Sequence, residues 1–325
     1  MARNNRVRRD SEENYHVMSR CNNKEFLFGK SGIKGLMVHL LKRAADFSGI
    51  KLYAYSVLDN HFHIVLREIH PDWAPTDLSD DASLYLTKRG DAPHQVQYVR
   101  CKDPNFTRDM LIRKVLGRVS ILKGVDFAED LREHWAYLDS IHAAAAVDDE
   151  LKQWLRRMHN VSKFTKTFKE LVNITYKRRN KHVGSIFSGR FASTLIEDGE
   201  YLATCIRYVE LNAVRAGIVK HARDYYYSSH SGESVNEIKV MLGCVPTLST
   251  LDVVMEGNVE NRLMRRVVQI GAGVIFGSKG FVTKIIGEQG NASGFLLVRA
   301  KIVIGNGYSS HGHKLAWEED KGLAA

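Results

Sequence analysis

The stretch LYAYSVLDNHFHIVL (52–66) decides the fold. Two β-rich runs, LYAYSVL (52–58) and HFHIVL (61–66), flank Asp59-Asn60, a two-residue polar link of the kind that closes a hairpin. Side chains on a strand alternate between its two faces. His61 and His63 therefore project from one face, about 6.5–7 Å apart along the strand, while Phe62, Ile64 and Leu66 point to the other. One arm of the hairpin thus carries an apolar face fit for a core and an imidazole face fit for chemistry.

Upstream, YHVMSRC (15–21) has strand character. Ile33, Leu36, Met37, Leu40 and Leu41 then recur at helical spacing over 31–48, with Gly49 as the stop. Downstream, Pro71, Pro75, Pro93 and Pro104 are four of the chain's five prolines and make 70–104 loop-rich. Helices are expected near 107–123 and 127–147, the second ending in Ala143–Ala146. Val161, Phe164, Phe168, Leu171 and Thr175 step by three and four, marking an amphipathic helix with lysines on its outer side. Residues 184–196 look extended, and Glu200 to Ala216 is helical again, closed by Gly217.

Beyond about residue 225 the signals weaken, with helical pieces expected near 234–242 and 258–270 and a β-like LLVRAKIVI at 296–304. The order β-α-β-β-insert-α-β-α predicts an α+β fold, an antiparallel sheet of about four to five strands with helices packed against it. Residues 1–69 and 161–230 would form the core, 70–160 a helical insertion, and 231–325 a partly helical extension.

The chain has 325 residues and is 44% hydrophobic, enough for a sizeable buried core. No apolar run approaches the roughly 18 residues that a membrane span needs, and the charged start is unlike a signal peptide. Cys21, Cys101, Cys205 and Cys244 lie far apart, which suggests neither a zinc cluster nor a disulfide framework, and predicts a cytosolic protein with reduced thiols.

Net charge is +10, and it is concentrated. Between residues 151 and 190 stand eleven basic residues: Lys152, Arg156, Arg157, Lys163, Lys166, Lys169, Lys177, Arg178, Arg179, Lys181 and Arg190. Glu170 alone opposes them, so this window carries the excess of the whole chain. Phe164, Phe168, Tyr176, Phe187 and Phe191 interleave with the charges, as in surfaces that bind phosphates and stack bases; a solvated helix face is the plain alternative.

Two histidines at i, i+2 can close on one divalent cation, although a His-x-His pair taken alone is a weak signal and more often marks incidental surface or core histidines. The second candidate segment is CIRYVELNAVRAG (205–217). Leu202, Ile206, Val209 and Ala213 make its core stripe. Tyr201, Cys205, Tyr208 and Asn212 lie on a neighbouring stripe, Tyr208 and Asn212 one turn apart. Arg207 and Arg215 on this helix, with Arg190 before Phe191, are candidate phosphate clamps or ordinary surface charges.

Together, YHVMSRCNNKEFLF (15–28), YSVLDNHFHIVL (55–66), SKFTKTFKE (162–170), the run GSIFSGRFASTLIEDGEYLATCIRYVELNAVRAGIV (184–219) and, more faintly, DYYYSSH (224–230) resemble the single-tyrosine transposases of single-stranded DNA. These carry a His-hydrophobic-His motif, and the likeness is to the REP-associated tyrosine transposases and their insertion-sequence relatives. The resemblance implies an RRM-like catalytic core, Tyr208 as nucleophile, and Mg²⁺ or Mn²⁺ held by His61 and His63 with Asn212 completing the shell. It also implies single-stranded or hairpin DNA as substrate, a nucleoid-associated location, no membrane partner, and action alone or as a homodimer. In such dimers the tyrosine helix is sometimes donated across subunits, so His61 and Tyr208 need not meet within one chain.

Ala213 stands where the family commonly has proline, which predicts a straighter helix here. The long insertion and the tail depart further from the family pattern. Three other functions compete: a silent or domesticated hairpin-binding protein, a replication-initiator or relaxase-type nicking enzyme, and a general RNA-binding α+β protein. The second of these usually brings nucleotide-binding parts, and no such motif occurs in the sequence.

Overall fold

The computed structural model describes residues 12–30, 32–69 and 107–231, with short segments at 87–88, 96–97, 273–277, 280–281, 284–285, 301–304 and 308–309. Its strands are β1 (Asn14–Arg20), β2 (Ile50–Val57), β3 (His61–Glu68), β4 (Thr87–Lys88), β5 (Val96–Gln97), β6 (Ala192–Ile196), β7 (Gly273–Gly277), β8 (Lys301–Ile304) and β9 (Tyr308–Ser309). The helices are α1 (Ile33–Ser48), α2 (Arg108–Lys123), α3 (Val125–Ser140), α4 (Ala144–Leu155), α5 (Val161–Asn180), α6 (Glu200–Glu210) and α7 (Asn212–Arg215).

The main sheet has the order β2-β3-β1-β6-β7-β8-β9, and β4 pairs with β5 in a separate two-stranded sheet. Its first four strands are antiparallel throughout, as the sequence predicts. Strands β7 and β8 then join in parallel, and β9 closes the edge antiparallel to β8. The protein is α+β. The expected tail contributes strands to this sheet, with Ile275 and Ile285 in the core. The helical pieces expected at 234–242 and 258–270, and most of 70–104, lie outside the described residues. No helix among the described residues is long and apolar enough to cross a membrane.

The alternation within β3 sorts the packing. Phe62, Ile64 and Leu66 are fully buried in the larger core beneath α1 and α5, where Phe62 meets Phe168 edge-on at 5.1 Å between ring centroids. Val65, on the opposite face, packs with Tyr53, Ala54 and Ile196 against Leu202, Cys205, Ile206, Tyr208 and Val209 of α6. A third apolar cluster joins α2, α3 and α4 around Trp135 and reaches α1 through Phe47.

Local signals explain most element ends. Gly49 follows α1 with φ +65° and its N–H turned back to the Ala45 and Asp46 carbonyls. Asn160 caps α5 through a 3.0 Å bond accepted from the Lys163 N–H.

Two helix expectations are corrected. The single helix at 127–147 is two, because His142 takes a left-handed φ of +61° and the Ile141 and His142 N–H groups bond back to Tyr137 and Asp139, ending α3. Ala144–Ala146 therefore begin α4. The helix at 200–216 also does not run straight, despite Ala213 in place of proline. It is interrupted at Leu211, where the Arg215 guanidinium donates to the Tyr208 carbonyl that the next turn would have used. Ile218 and Gly217 then bond back to Ala213 and Val214, with Gly217 at φ +69°, a Schellman ending.

Candidate active site

The site is built on the sheet face that α6 covers. In the β1–β3 register Arg20 pairs with His61, Met18 with His63, and His16 with Val65, so three histidines share this face. The hairpin tip that presents His61 is pinned from several sides. The Leu58 N–H bonds to the His61 carbonyl at 2.8 Å, the Cys21 N–H to the Asn60 carbonyl at 2.8 Å, and the Lys34 Nζ to Asp59 at 2.7 Å.

The Tyr208 ring lies edge-on to His63 at 5.8 Å and to His16 at 6.0 Å between centroids. His61 and His63 are 5.1 Å apart and nearly perpendicular. The late helix and the early hairpin therefore converge within one chain. Tyr208 is 6% exposed, His63 4% and His16 1%, while His61 is half-buried and opens the site to solvent.

His16 is the residue that sequence reasoning missed. Its Nε2 lies 2.8 Å from His63 Nδ1, and the two rings are within 7° of one plane with centroids 5.0 Å apart. So short a nitrogen contact between parallel rings at that separation is an in-plane hydrogen bond, ring beside ring. The signal was present in YHVMSRC, whose alternation puts His16, Met18 and Arg20 on one face. What the sequence could not supply was which strand β1 borders and in what register.

His61 Nδ1 is 2.6 Å from the Asn60 side-chain oxygen, an acceptor, so the Nδ1 carries the proton and Nε2 keeps its lone pair. When His63 Nδ1 donates to His16, its Nε2 is likewise the atom left for a ligand. Burial holds the His63 imidazole well below its ordinary titration range, and nearby His16, His61, Arg215 and Arg20 push the same way. Neutral imidazole is the form that binds metals. These features fit a hard divalent cation bound by the pair together with substrate or water oxygens. Among the described residues no group of three His, Cys, Asp or Glu side chains could hold one without such help.

Asn212 is 9% exposed, and its side-chain oxygen accepts from Arg215 at 3.3 Å. Arg215 also stacks its guanidinium 3.9 Å from the Tyr208 ring centroid. Among the described residues, Asn212 Nδ2 and Arg20 Nε are buried donors with no hydrogen-bond partner. Spare donors beside Tyr208 and His61 suit an anionic group. Arg207 is half-buried on the same helix.

The basic window does not form one surface. Lys163, Lys166, Arg178, Arg179, Lys181 and Arg190 are exposed, and Lys177 and Arg156 partly so. Arg157 instead lies over the Phe47 and Trp154 rings, 5.2 and 5.1 Å from their centroids, tying α4 to α1. Its burial pulls the guanidinium below its usual range, with Glu170 partly opposing the shift.

No protein-family model and no curated protein matches the chain. A solved structure described as a REP-associated tyrosine transposase bound to a REP hairpin aligns with 76% of this chain and 89% of its own, at 12% identity and a TM-score of 0.35. An overlap that loose adds no weight to an argument about this chain, whose chemistry rests on its own residues.

Proposed function

We propose that the chain is a nicking and strand-transfer enzyme of single-stranded or hairpin DNA that works through a 5′-phosphotyrosine intermediate. The reading rests on one contact, the Tyr208 ring beside the His63 imidazole in the same chain. Tyr208 is the nucleophile. Its phenol gives up a proton as the oxygen bonds to a backbone phosphorus, and the bond from phosphorus to the 3′ oxygen breaks. That oxygen takes up a proton and leaves as a 3′-hydroxyl. Attack on the phosphotyrosine by another 3′-hydroxyl reverses the exchange and joins strands. One phosphodiester is traded for another, so no nucleotide hydrolysis is needed.

Mg²⁺ or Mn²⁺ on His61 and His63, with Asn212 as a further donor, would supply polarisation of the scissile phosphate. Arg215 against the Tyr208 ring offsets negative charge as the phenol becomes a nucleophile. Lys163, Lys166, Lys177, Arg178, Arg179, Lys181 and Arg190, nearly all of them exposed, contribute phosphate contacts.

A labelled hairpin-tailed single strand, incubated with Mn²⁺ and denatured, should leave label covalently on the wild-type chain. The Tyr208→Phe variant should carry none, and an adduct surviving in that variant refutes the assigned nucleophile. The depth of Tyr208 and the engagement of Asn212 with Arg215 favour a second reading, DNA binding without cleavage. The same assay separates the two, since a protein that only binds shifts the strand and never retains it after denaturation.

A further inference from the structure

On the face of the sheet away from Tyr208, a groove of about 690 Å³ opens between α5 and the segment 184–191. Such a volume suits a nucleotide-sized group. Lys166, Lys169 and Arg190 line it, together with the carboxamides of Asn22 and Asn173, and the Phe187 ring borders it.

Its walls are fixed. Lys169 donates to the Gly189 carbonyl at 2.8 Å and sits 4.8 Å from the Phe187 ring centroid. Asn22 donates to the Ser185 carbonyl at 2.5 Å, and Asn173 accepts from the Ile186 N–H at 3.4 Å. Lys166 makes an exposed pairing of 3.7 Å with Glu170, the kind that costs little to exchange for a phosphate.

The end of β1 links the groove to the candidate active site along the chain. Arg20 pairs with His61, its carbonyl accepts from both the N–H and the hydroxyl of Ser188, Cys21 bridges to Phe187, and Asn22 lines the groove. From Arg20 to Asn22 is two residues of extended chain, about 7 Å. A strand lying at His61 therefore needs only to turn over the end of the sheet to reach the opposite face.

We infer that this groove is a second binding site, for an unpaired stretch of DNA outside the reacting phosphate, with Lys166 and Arg190 on its phosphates and Asn22 and Asn173 reading base edges. The inference rests on the DNA-binding part of the proposed function and not on cleavage. A duplex presents its base edges only along the grooves of a stiff rod, so carboxamides lining a recess of nucleotide size, with the Phe187 ring at its border, favour an unpaired strand.

The test is fluorescence anisotropy with a labelled unstructured single strand and a blunt duplex, on the full chain. Ser162→Trp places a bulky ring at the groove wall and obstructs it without changing net charge. Lys166→Glu with Arg190→Glu reverses charge on exposed positions where folding is not at stake. Each should weaken single-strand binding about tenfold or more, and the double variant should flatten the slope of log affinity against log salt by about 0.7 for each phosphate no longer neutralised.

Single-strand affinity of Ser162→Trp equal to wild type, with an unchanged melting temperature, overturns the site. If Ser162→Trp fails to fold, the double variant decides, and wild-type single-strand affinity in it overturns the site. Equal losses for strand and duplex overturn its preference for unpaired DNA. A groove variant with reduced binding stands even if Tyr208 forms no adduct, in which case only the enzymatic reading falls.

Discussion

Replacing His16 by leucine tests the geometry on which the candidate site depends, without recourse to metal or DNA. In the folded protein the buried His63 has its Nδ1 satisfied by His16 Nε2 at 2.8 Å. Leucine fills similar space and offers no acceptor, so the ring must bury one polar atom unpaired or turn away from its present position. A buried donor left without its partner costs about 1–3 kcal/mol. His16→Leu should therefore unfold at lower urea, with stability reduced by roughly 2 kcal/mol. His16→Gln, whose carboxamide oxygen can accept the same proton, should recover much of that loss. Nitrogen NMR adds a second readout: His63 should show a single protonated Nδ1 in the wild type and in His16→Gln, and a mixture of tautomers in His16→Leu. Equal stability of the leucine and wild-type proteins, or a glutamine variant no better than leucine, would refute the hydrogen bond as the element that orients His63.

Phe168→Ala should cost about 3–5 kcal/mol in urea denaturation, since the ring is fully buried and packs edge-on against Phe62 of β3. Gly49→Ala should lower the melting temperature by several degrees. The residue sits at φ +65°, and an added Cβ would press on the Arg118 guanidinium and come within 2.5 Å of the His159 ring. Acid should destabilise the protein through His63. Its folded pKa lies below the unfolded value near 6.5, so the unfolded chain binds more protons between the two. The contribution is whole above about 6.5 and is lost as pH falls toward the folded pKa, with a slope of at most about 1.4 kcal/mol per unit, and His63→Leu should remove that part of the pH dependence. Cys21 and Cys205 should resist iodoacetamide at pH 8 until the chain is unfolded, because both are buried and burial raises their thiols, Cys21 to about 12.

What the sequence made legible was whatever depends on neighbours along the chain. The hairpin, with His61 and His63 on one face, follows from period-two alternation. Helix α5 follows from the spacing of Val161, Phe164, Phe168 and Leu171, and the ends of α1 and α7 from Gly49 and Gly217. The breaks it concealed depend on contacts at a distance or on single dihedrals. Arg215 reaches back seven residues to the Tyr208 carbonyl and interrupts an otherwise uniform helical pattern, while His142 turns left-handed within a run of good helix formers.

The site divides along the same line. Two of its histidines and its tyrosine stand out because their own segments are patterned, but His16 becomes meaningful only once β1 is set beside β3 with Met18 opposite His63. Register between strands 47 residues apart is a property of the assembled sheet. It brings together three imidazoles and a phenol from three separate stretches of chain. Strand β1, which carries neither the proposed nucleophile nor a proposed metal ligand, orients His63 through the His16 hydrogen bond. Substitutions at Met18, which is half-buried on the same face, should accordingly be better tolerated than any at position 16.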